Sequence, residues 1–284
     1  PWRSQAVYSS AEEAGYVHVA TVPVEATLGE VLSATPGQFE GRIDHAGKIV
    51  VELYHGEVSS ASTVALLNGA NSAAIRADNG QWEIIQFGAA EEILPSVWEL
   101  TRLLRGQLGT GDASTAGISP GASFVVLNGA IVKAGLLPEQ VGLELNWQVG
   151  PVGRTLGDPS FVKLQATGGV RALLPLSPVH LRLLHETGGD ALLSWVRRGR
   201  VDADSWLGEE IPLGEESERY RIVIAKQDGT VVRIAENFEP HWTYTLAQQL
   251  EDFPVRPVTI EVSVRQISAA AGEGLPGRKL FTLG

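Results

Sequence analysis

Cysteine and methionine are both missing from the 284 residues. Without a thiol the chain forms no disulfide, offers no thiolate to a metal and has no cysteine nucleophile. The same lack leaves the compartment open, since a protein without thiols suits oxidising and reducing surroundings equally. With no methionine and Pro1 as its first residue, the chain is expected to be a piece of something longer. Positive charge is scarce too: 22 Lys+Arg against 33 Asp+Glu leave a net charge of -11. No basic stripe is available for a phosphate backbone, so no nucleic-acid contact is expected, and attraction to anionic lipid is disfavoured for the same reason. Apolar runs are short. None nears the ~20 residues that cross a bilayer, and no secretory leader pattern is seen, so no membrane span is expected and the piece should be soluble as it stands.

What is present is the make-up of many short strands. The hydrophobic fraction is 44%, enough for packed cores, and 32 Gly with 15 Pro supply turns. The length favours two domains. Residues 1–14 read as a polar lead-in. From residue 15 the period is two: Tyr16-Val-His-Val-Ala-Thr-Val alternates as a half-buried strand does. Lys48-Ile-Val-Val-Glu-Leu-Tyr follows the turn Asp44-His-Ala-Gly47, and Trp82-Glu-Ile-Ile-Gln-Phe and Ser123-Phe-Val-Val-Leu are further strands. Asn68-Gly69, Asn79-Gly80, Asn128-Gly129 and Asp228-Gly229 each predict a strand reversal, because Asn, Asp and Gly tolerate the positive φ of tight turns. Helix-period signal is weak, confined to one helical turn expected around Ser96 to Leu104. Residues 15–168 are therefore expected to be an all-β domain.

A Gly-rich hinge, Thr167-Gly-Gly-Val, leads into Pro175-Leu-Ser-Pro178 and a second domain over 169–268. Its most informative stretch runs from Leu192 to Tyr220. An apolar strand carries Trp195, a long charged loop follows, and an alternating strand opens on Tyr220. A strand Trp, a loop and a strand opening on Tyr predict a fibronectin type III-like β-sandwich. The expected strands are 179–185, 191–197, 220–225, 231–235, 242–246 and 259–266. Residues 269–284 are either the seventh strand or a departing tail.

Motifs for chemistry do not accumulate. The histidines at 18, 45, 55, 180, 185 and 241 show no metal spacing, and no Gly-x-Ser-x-Gly elbow exists. Gly272-Glu-Gly-Leu-Pro-Gly277 matches G-x-G-x-x-G in letters, but Pro276 interrupts it and no helix can follow, so it reads as a flexible tail. The acidic clusters Glu91-Glu92, Glu209-Glu210 and Glu215-Glu216 with Glu218 read as solvated surface, because adjacent strand residues diverge to opposite faces. Asp202 and Asp204 alone are too few for a calcium site. No catalytic residue, cofactor or metal is assigned. Trp206, in the charged loop, suits an interface anchor, a sugar-stacking ring or a cap on the sandwich end. Asp202, Asp204 and Trp206 are accordingly the candidate partner-contact residues, one aromatic with a charged rim.

Several strings together resemble one family. They are Leu66-Leu-Asn-Gly-Ala-Asn71, Trp82-Glu-Ile-Ile-Gln-Phe87, Trp98-Glu-Leu-Thr-Arg-Leu-Leu-Arg-Gly-Gln-Leu-Gly-Thr110, Pro175-Leu-Ser-Pro-Val-His-Leu181, Ser194-Trp-Val-Arg-Arg-Gly-Arg200 and Asp204-Ser-Trp-Leu-Gly-Glu-Glu-Ile-Pro-Leu-Gly-Glu215. The chain resembles the C-terminal part of the tail-tip (baseplate hub, or "host specificity") protein of gene transfer agents and related long-tailed phages, over most of residues 15–270. The resemblance implies a non-enzymatic virion component at the tail tip of an extracellular particle assembled in a bacterial cytoplasm. It implies a homotrimer around the tail axis, contacts with other tail-tip proteins, and a part in host adsorption and DNA delivery, with a host surface glycan or protein as a further partner. The glycosidase-related domain of longer members lies upstream and has no counterpart among these residues, so no catalytic residue is carried over. A carbohydrate-binding accessory module of a secreted glycoside hydrolase is the rival reading, and an enzyme with carboxylates split between domains is a third.

Overall fold

The computed structural model describes residues 2–37, 43–201, 203, 210–255 and 258–283. The chain is all-β and divides into two units, 1–169 and 170–284. In chain order the first holds β1 (Gln5–Ser10), β2 (Val17–Val22), β3 (Leu28–Val31), β4 (Asp44–Leu53), α1 (Thr63–Leu67), β5 (Ser72–Arg76), β6 (Trp82–Leu94), β7 (Val97–Gln107), α2 (Gly111–Ala116), β8 (Ser123–Val126), β9 (Glu144–Pro151) and β10 (Val162–Thr167).

Six of these strands close into an antiparallel barrel in the order β3-β4-β7-β6-β5-β8. Closure leaves no unpaired edge. Its interior follows from alternation: Ile49, Val51 and Leu53 of β4 are buried while Lys48 and Glu52 face out. Ile75, Ile85, Phe87, Leu100, Leu103 and Phe124 complete the filling. The other four strands form the sheet β10-β9-β1-β2.

Several expectations for this unit are corrected. Residues 1–14 are not merely a lead-in, because Gln5–Ser10 is a central strand paired on both sides, with β2 and with β9. The helical turn expected around Ser96 to Leu104 is strand β7. Leu100 and Leu103 are three apart yet both fully buried. Between them Arg102 has a φ of 57°, where the register between β4 and β7 also shifts. A left-handed residue interrupts the two-residue alternation, and the outcome imitates helical spacing. The shift in β4 is the Asp44–Gly47 turn: the Asp44 carboxylate accepts from the Ala46 and Gly47 amides, both at 2.9 Å, within the strand rather than ahead of it. Of the Asn-Gly and Asp-Gly pairs, 79–80 and 228–229 do join hairpin strands. Asn68 instead caps the end of α1, and Asn128 follows β8 in a turn closed by the Ile131 amide on its carbonyl.

The second unit holds β11 (Val179–His185), β12 (Ala191–Val196), β13 (Tyr220–Ala225), β14 (Val231–Asn237), β15 (His241–Tyr244), α3 (Leu246–Asp252), β16 (Thr259–Ser268), β17 (Gly272–Glu273) and β18 (Gly277–Thr282). A sheet of order β11-β12-β15 faces one of order β14-β13-β16-β18, with β17 paired to the end of β16. Three strands against four in this order is the fibronectin type III sandwich. Between the sheets Trp195, 4% exposed, meets the fully buried Tyr220 edge to face, ring centroids 5.1 Å apart at 72°. Leu181, Leu193, Ile222, Val262 and Val264 belong to the same core.

The final segment is the seventh strand rather than a departing tail. The stretch expected to be a flexible tail is likewise ordered. Gly272 and Glu273 pair with β16, and Glu273 receives ion pairs from Arg221 and Arg265. Gly277 is required by close approach, since a Cβ there would stand 2.1 Å from the Pro178 carbonyl oxygen. Glu236, bonded by Arg221 and Arg219, extends this surface ladder, and their hydrogen bonds hold its carboxyl below the ordinary range.

Two buried phenols make the sandwich sensitive to alkali. Tyr220 donates to Glu218 at 2.7 Å and Tyr244 to Asp252 at 2.6 Å. Burial first, and these carboxylates second, push both hydroxyls well above the ordinary value of 10.0. Unfolded chains release these protons near pH 10.0 while the folded sandwich retains them. Their contribution is therefore whole below pH 10.0 and drains away as the pH climbs toward the folded values. The melting temperature of the second unit should decline above pH 10, and the Tyr220→Phe, Tyr244→Phe double variant should decline less steeply. Equal slopes in a calorimetric pH series would contradict this.

Candidate functional site

Two local constructions explain why the most specific strings read as they do. The first lies at Leu103-Leu-Arg-Gly-Gln107 of β7 and the turn that follows. Arg105, 2% exposed, lays its guanidinium on the fully buried Glu83 of β6, Nε to Oε1 at 2.6 Å and a terminal nitrogen to Oε2 at 2.7 Å. The Gly106 amide donates to the same Oε1 at 3.0 Å from a left-handed φ of 61°. A backbone in that region suits glycine. The Gln107 side chain donates to the Arg105 carbonyl at 2.9 Å. Thr110 donates its hydroxyl to the Gln107 carbonyl at 2.7 Å and accepts from the Ile84 amide at 2.9 Å, immediately ahead of α2. Arginine, glycine, glutamine and threonine thus each hold a fixed bond. Glu83 accepts from three donors here, so its carboxylate is a structural group.

A similar account holds for Leu66 to Asn71. The Gln86 side chain donates to the Leu66 and Ala70 carbonyls at 2.7 and 2.9 Å, fastening α1 and the turn after it to β6. Asn71, at a φ of 55°, donates to the carbonyls of Ser59 and Phe87.

The second construction is the stem of the loop between β12 and β13. Arg197 donates to the carbonyls of Ile211 and Pro212 at 2.5 and 3.1 Å, and Arg200 reaches Glu215 and the Gly214 carbonyl, both at 3.2 Å. Arg198 donates to the Ser177 carbonyl at 2.9 Å. Arg197 and Arg200 on one side and the residues Ile211–Glu215 on the other are therefore two halves of one clasp. Beside it a cleft of about 370 Å³ is lined by Arg197, Glu210, Ile211, Leu213 and Glu218. The candidate contact residues Asp202, Asp204 and Trp206 lie outside the described residues; the structure speaks for the stem and not for them. The stem arginines and the Arg105–Glu83 pair were not singled out by spacing. The usable signal was arginine set among leucines in a strand, which calls for a buried carboxylate elsewhere.

Among the described residues no group of three or more His, Asp or Glu converges as metal ligands. Glu92 accepts from the Ser96 amide at 2.9 Å, closing the turn of the β6–β7 hairpin. No described helix is long and apolar enough to cross a membrane.

Against known families, residues 26–125 match the family described as Rcc01698-like, C-terminal. That span is the barrel. It begins two residues before β3 and ends within β8. Three of the six resemblance strings fall inside it, while those of the sandwich fall outside. No curated protein matches. Among solved structures, the chain is similar to the rat CD45 extracellular region, domains d3–d4, at 10% identity, covering 55% of this chain and 72% of that one with a TM-score of 0.28. It is also similar to the chicken CNTN1 FN1–FN3 domains at 12% identity, covering 89% and 64% with a TM-score of 0.27.

Proposed function

We propose that this chain is a non-enzymatic structural part of a phage-like tail tip, of the kind built by gene transfer agents, serving tail assembly, host adsorption and DNA delivery. The observation that carries the reading is the coincidence of the family-matched span, 26–125, with one closed barrel. The Leu-Leu-Arg-Gly-Gln string and the Leu66–Asn71 string, which resemble the hub proteins, are the residues that fasten that barrel. The buried Arg105–Glu83 pair in the first unit and the Tyr244–Asp252 bond in the second are fixed structural contacts, which suits a scaffold. On this reading the chain works beside copies of itself, as a trimer, and beside other tail-tip proteins.

Mass spectrometry and electron microscopy of particles from the encoding strain test the proposal. The chain should be present in purified particles and located at the tail tip; its absence from intact, DNA-delivering particles overturns the reading. The loop clasp gives a finer test. Replacing residues 202–209 by a short Gly-Ser linker leaves the Arg197 and Arg200 anchors in place, so the sandwich should still fold. Adsorption or assembly should nevertheless fall, because a loop of this length with an aromatic anchor is built for contact. Normal delivery by such particles would remove the loop from the interface.

A further inference from the structure

We propose that the outer face of the β11-β12-β15 sheet carries a binding site for a single carboxylate group. A cleft of about 240 Å³ opens there, lined by His180, Arg182, Ser194, Trp195 and Val196. Three of those five side chains carry hydrogen-bond donors suited to an oxyanion: an imidazole, a guanidinium and a hydroxyl. Among the described residues, the side chains of His180, Arg182 and Ser194 have no hydrogen-bond or ion-pair partner. They are directed by the pairing of the strands. Arg182 stands opposite Ser194, and Ser194 opposite His241, so the three make one row across the sheet. The nearby carboxylate of Glu239 is taken by His241 at 3.1 Å, which leaves Arg182 and His180 to the cleft.

The backbone beside the cleft is strained in its favour. Val179 pairs with Val196 and Arg182 with Ser194, so two residues, His180 and Leu181, oppose the single residue Trp195. Leu181 enters the core, and His180 is the extra residue, at a φ of 53°. A bulge that holds a non-glycine residue in the left-handed region re-aims a side chain at a cost in stability, and such positions concentrate at binding sites. In a chain with a net charge of -11, a local pair of unpartnered basic side chains is the reverse of the general surface.

Chemistry and size select the ligand. A guanidinium fork with a hydroxyl beside it matches the two oxygens of a carboxylate. The volume is below the ~300 Å³ at which sites for drug-sized molecules begin, so it takes one acidic sugar residue or one acidic side chain. The site goes beyond the tail-tip reading and does not depend on it: a failed titration would leave the chain's place in a particle untouched.

Titration of the isotopically labelled full chain with acetate, D-glucuronate, N-acetylneuraminate, a glutamate-containing peptide and neutral glucose tests the site by amide chemical shifts. The carboxylated probes should give saturable shifts at His180, Arg182 and Ser194, and glucose none. A sugar acid binding more tightly than acetate and the peptide names a glycan as the source; the reverse order names a protein. Arg182→Gln, at an exposed position, should weaken binding of the best probe at least about tenfold, the loss of one charge-assisted pair. His180→Gly should weaken binding while raising the melting temperature of the second unit, since it releases the left-handed strain. A purely structural histidine would not separate the two readouts in that way. Absence of saturable shifts with every carboxylated probe, or affinity unchanged in Arg182→Gln, overturns the proposal.

Discussion

Trp195→Ala is expected to cost the sandwich about 3 to about 5 kcal/mol, the range for truncating a buried large aromatic. The indole fills the space between the sheets against Tyr220 and in a core shared with Leu193, Val262 and Val264. Its strand is held on both sides, by β11 and β15, so the backbone has little freedom to close over the cavity. The cost should fall on the second unit alone, because the barrel has its own core around Ile49, Phe87 and Phe124. A chain of two units does not offer one unfolding free energy, so the measurement is native-state amide exchange in the full chain, read separately at β12, β13 and the barrel strands. Protection should drop in β12 and β13 and persist in β4 and β6. A loss below about 1 kcal/mol in the sandwich would contradict the packing described for Trp195.

How far the fold was legible follows from where its signals lie along the chain. In the sandwich, apolar alternation, a central Trp and short turns are local signals, and all six expected strands match strands of the fold. The seventh, β18, is harder to see: Gly277–Thr282 has one partly buried and several exposed side chains and is fixed by pairing with β16 and by the approach of Gly277 to Pro178. In the first unit β1, Gln-Ala-Val-Tyr-Ser-Ser, shows no apolar alternation, and only Ala6 and Ser9 are buried. It is a central strand because β9, some 140 residues further on, pairs with it on the side away from β2. No local pattern announces a partner that distant. The β6–β7 hairpin turns at Pro95-Ser96, with Ser96 at a φ of 64° and no Asn or Gly to mark it, while Arg102 disguises the strand period.

The candidate site was legible in a different way. The charged loop was identifiable by its length and composition, but its fastening was not. Three of the acceptors that the clasp of Arg197 and Arg200 uses on Ile211–Glu215 are backbone carbonyls, which carry no side-chain signature. The row Arg182–Ser194–His241 depends on strand order and on a bulge, and neither is written in the spacing of those residues. Chemistry assembled across strands becomes visible only when the register is known.

The barrel offers the second large effect, at Glu83 and Arg105. Arg105→Met should destabilise the first unit by about 3 to about 5 kcal/mol, because it strands a fully buried carboxylate without its countercharge. Glu83→Leu should cost a comparable amount for the mirror reason, leaving a buried guanidinium whose remaining described acceptor is the Pro36 carbonyl at 3.5 Å. The double variant removes both charges and should be more stable than either single one, since apolar side chains fill a low-dielectric site without a desolvation penalty. It should not regain full stability. The Gly106 amide, which donates to Glu83 at 3.0 Å, would be left without that acceptor, at a cost of about 1 to about 3 kcal/mol. The double-mutant cycle, followed by amide exchange in β6 and β7, should therefore show a coupling energy larger than about 1 kcal/mol between the two sites. Simple additivity of the two single losses would mean that the ion pair is incidental to the barrel. The Leu-Leu-Arg-Gly-Gln string would then need a reason outside stability, such as a partner's surface.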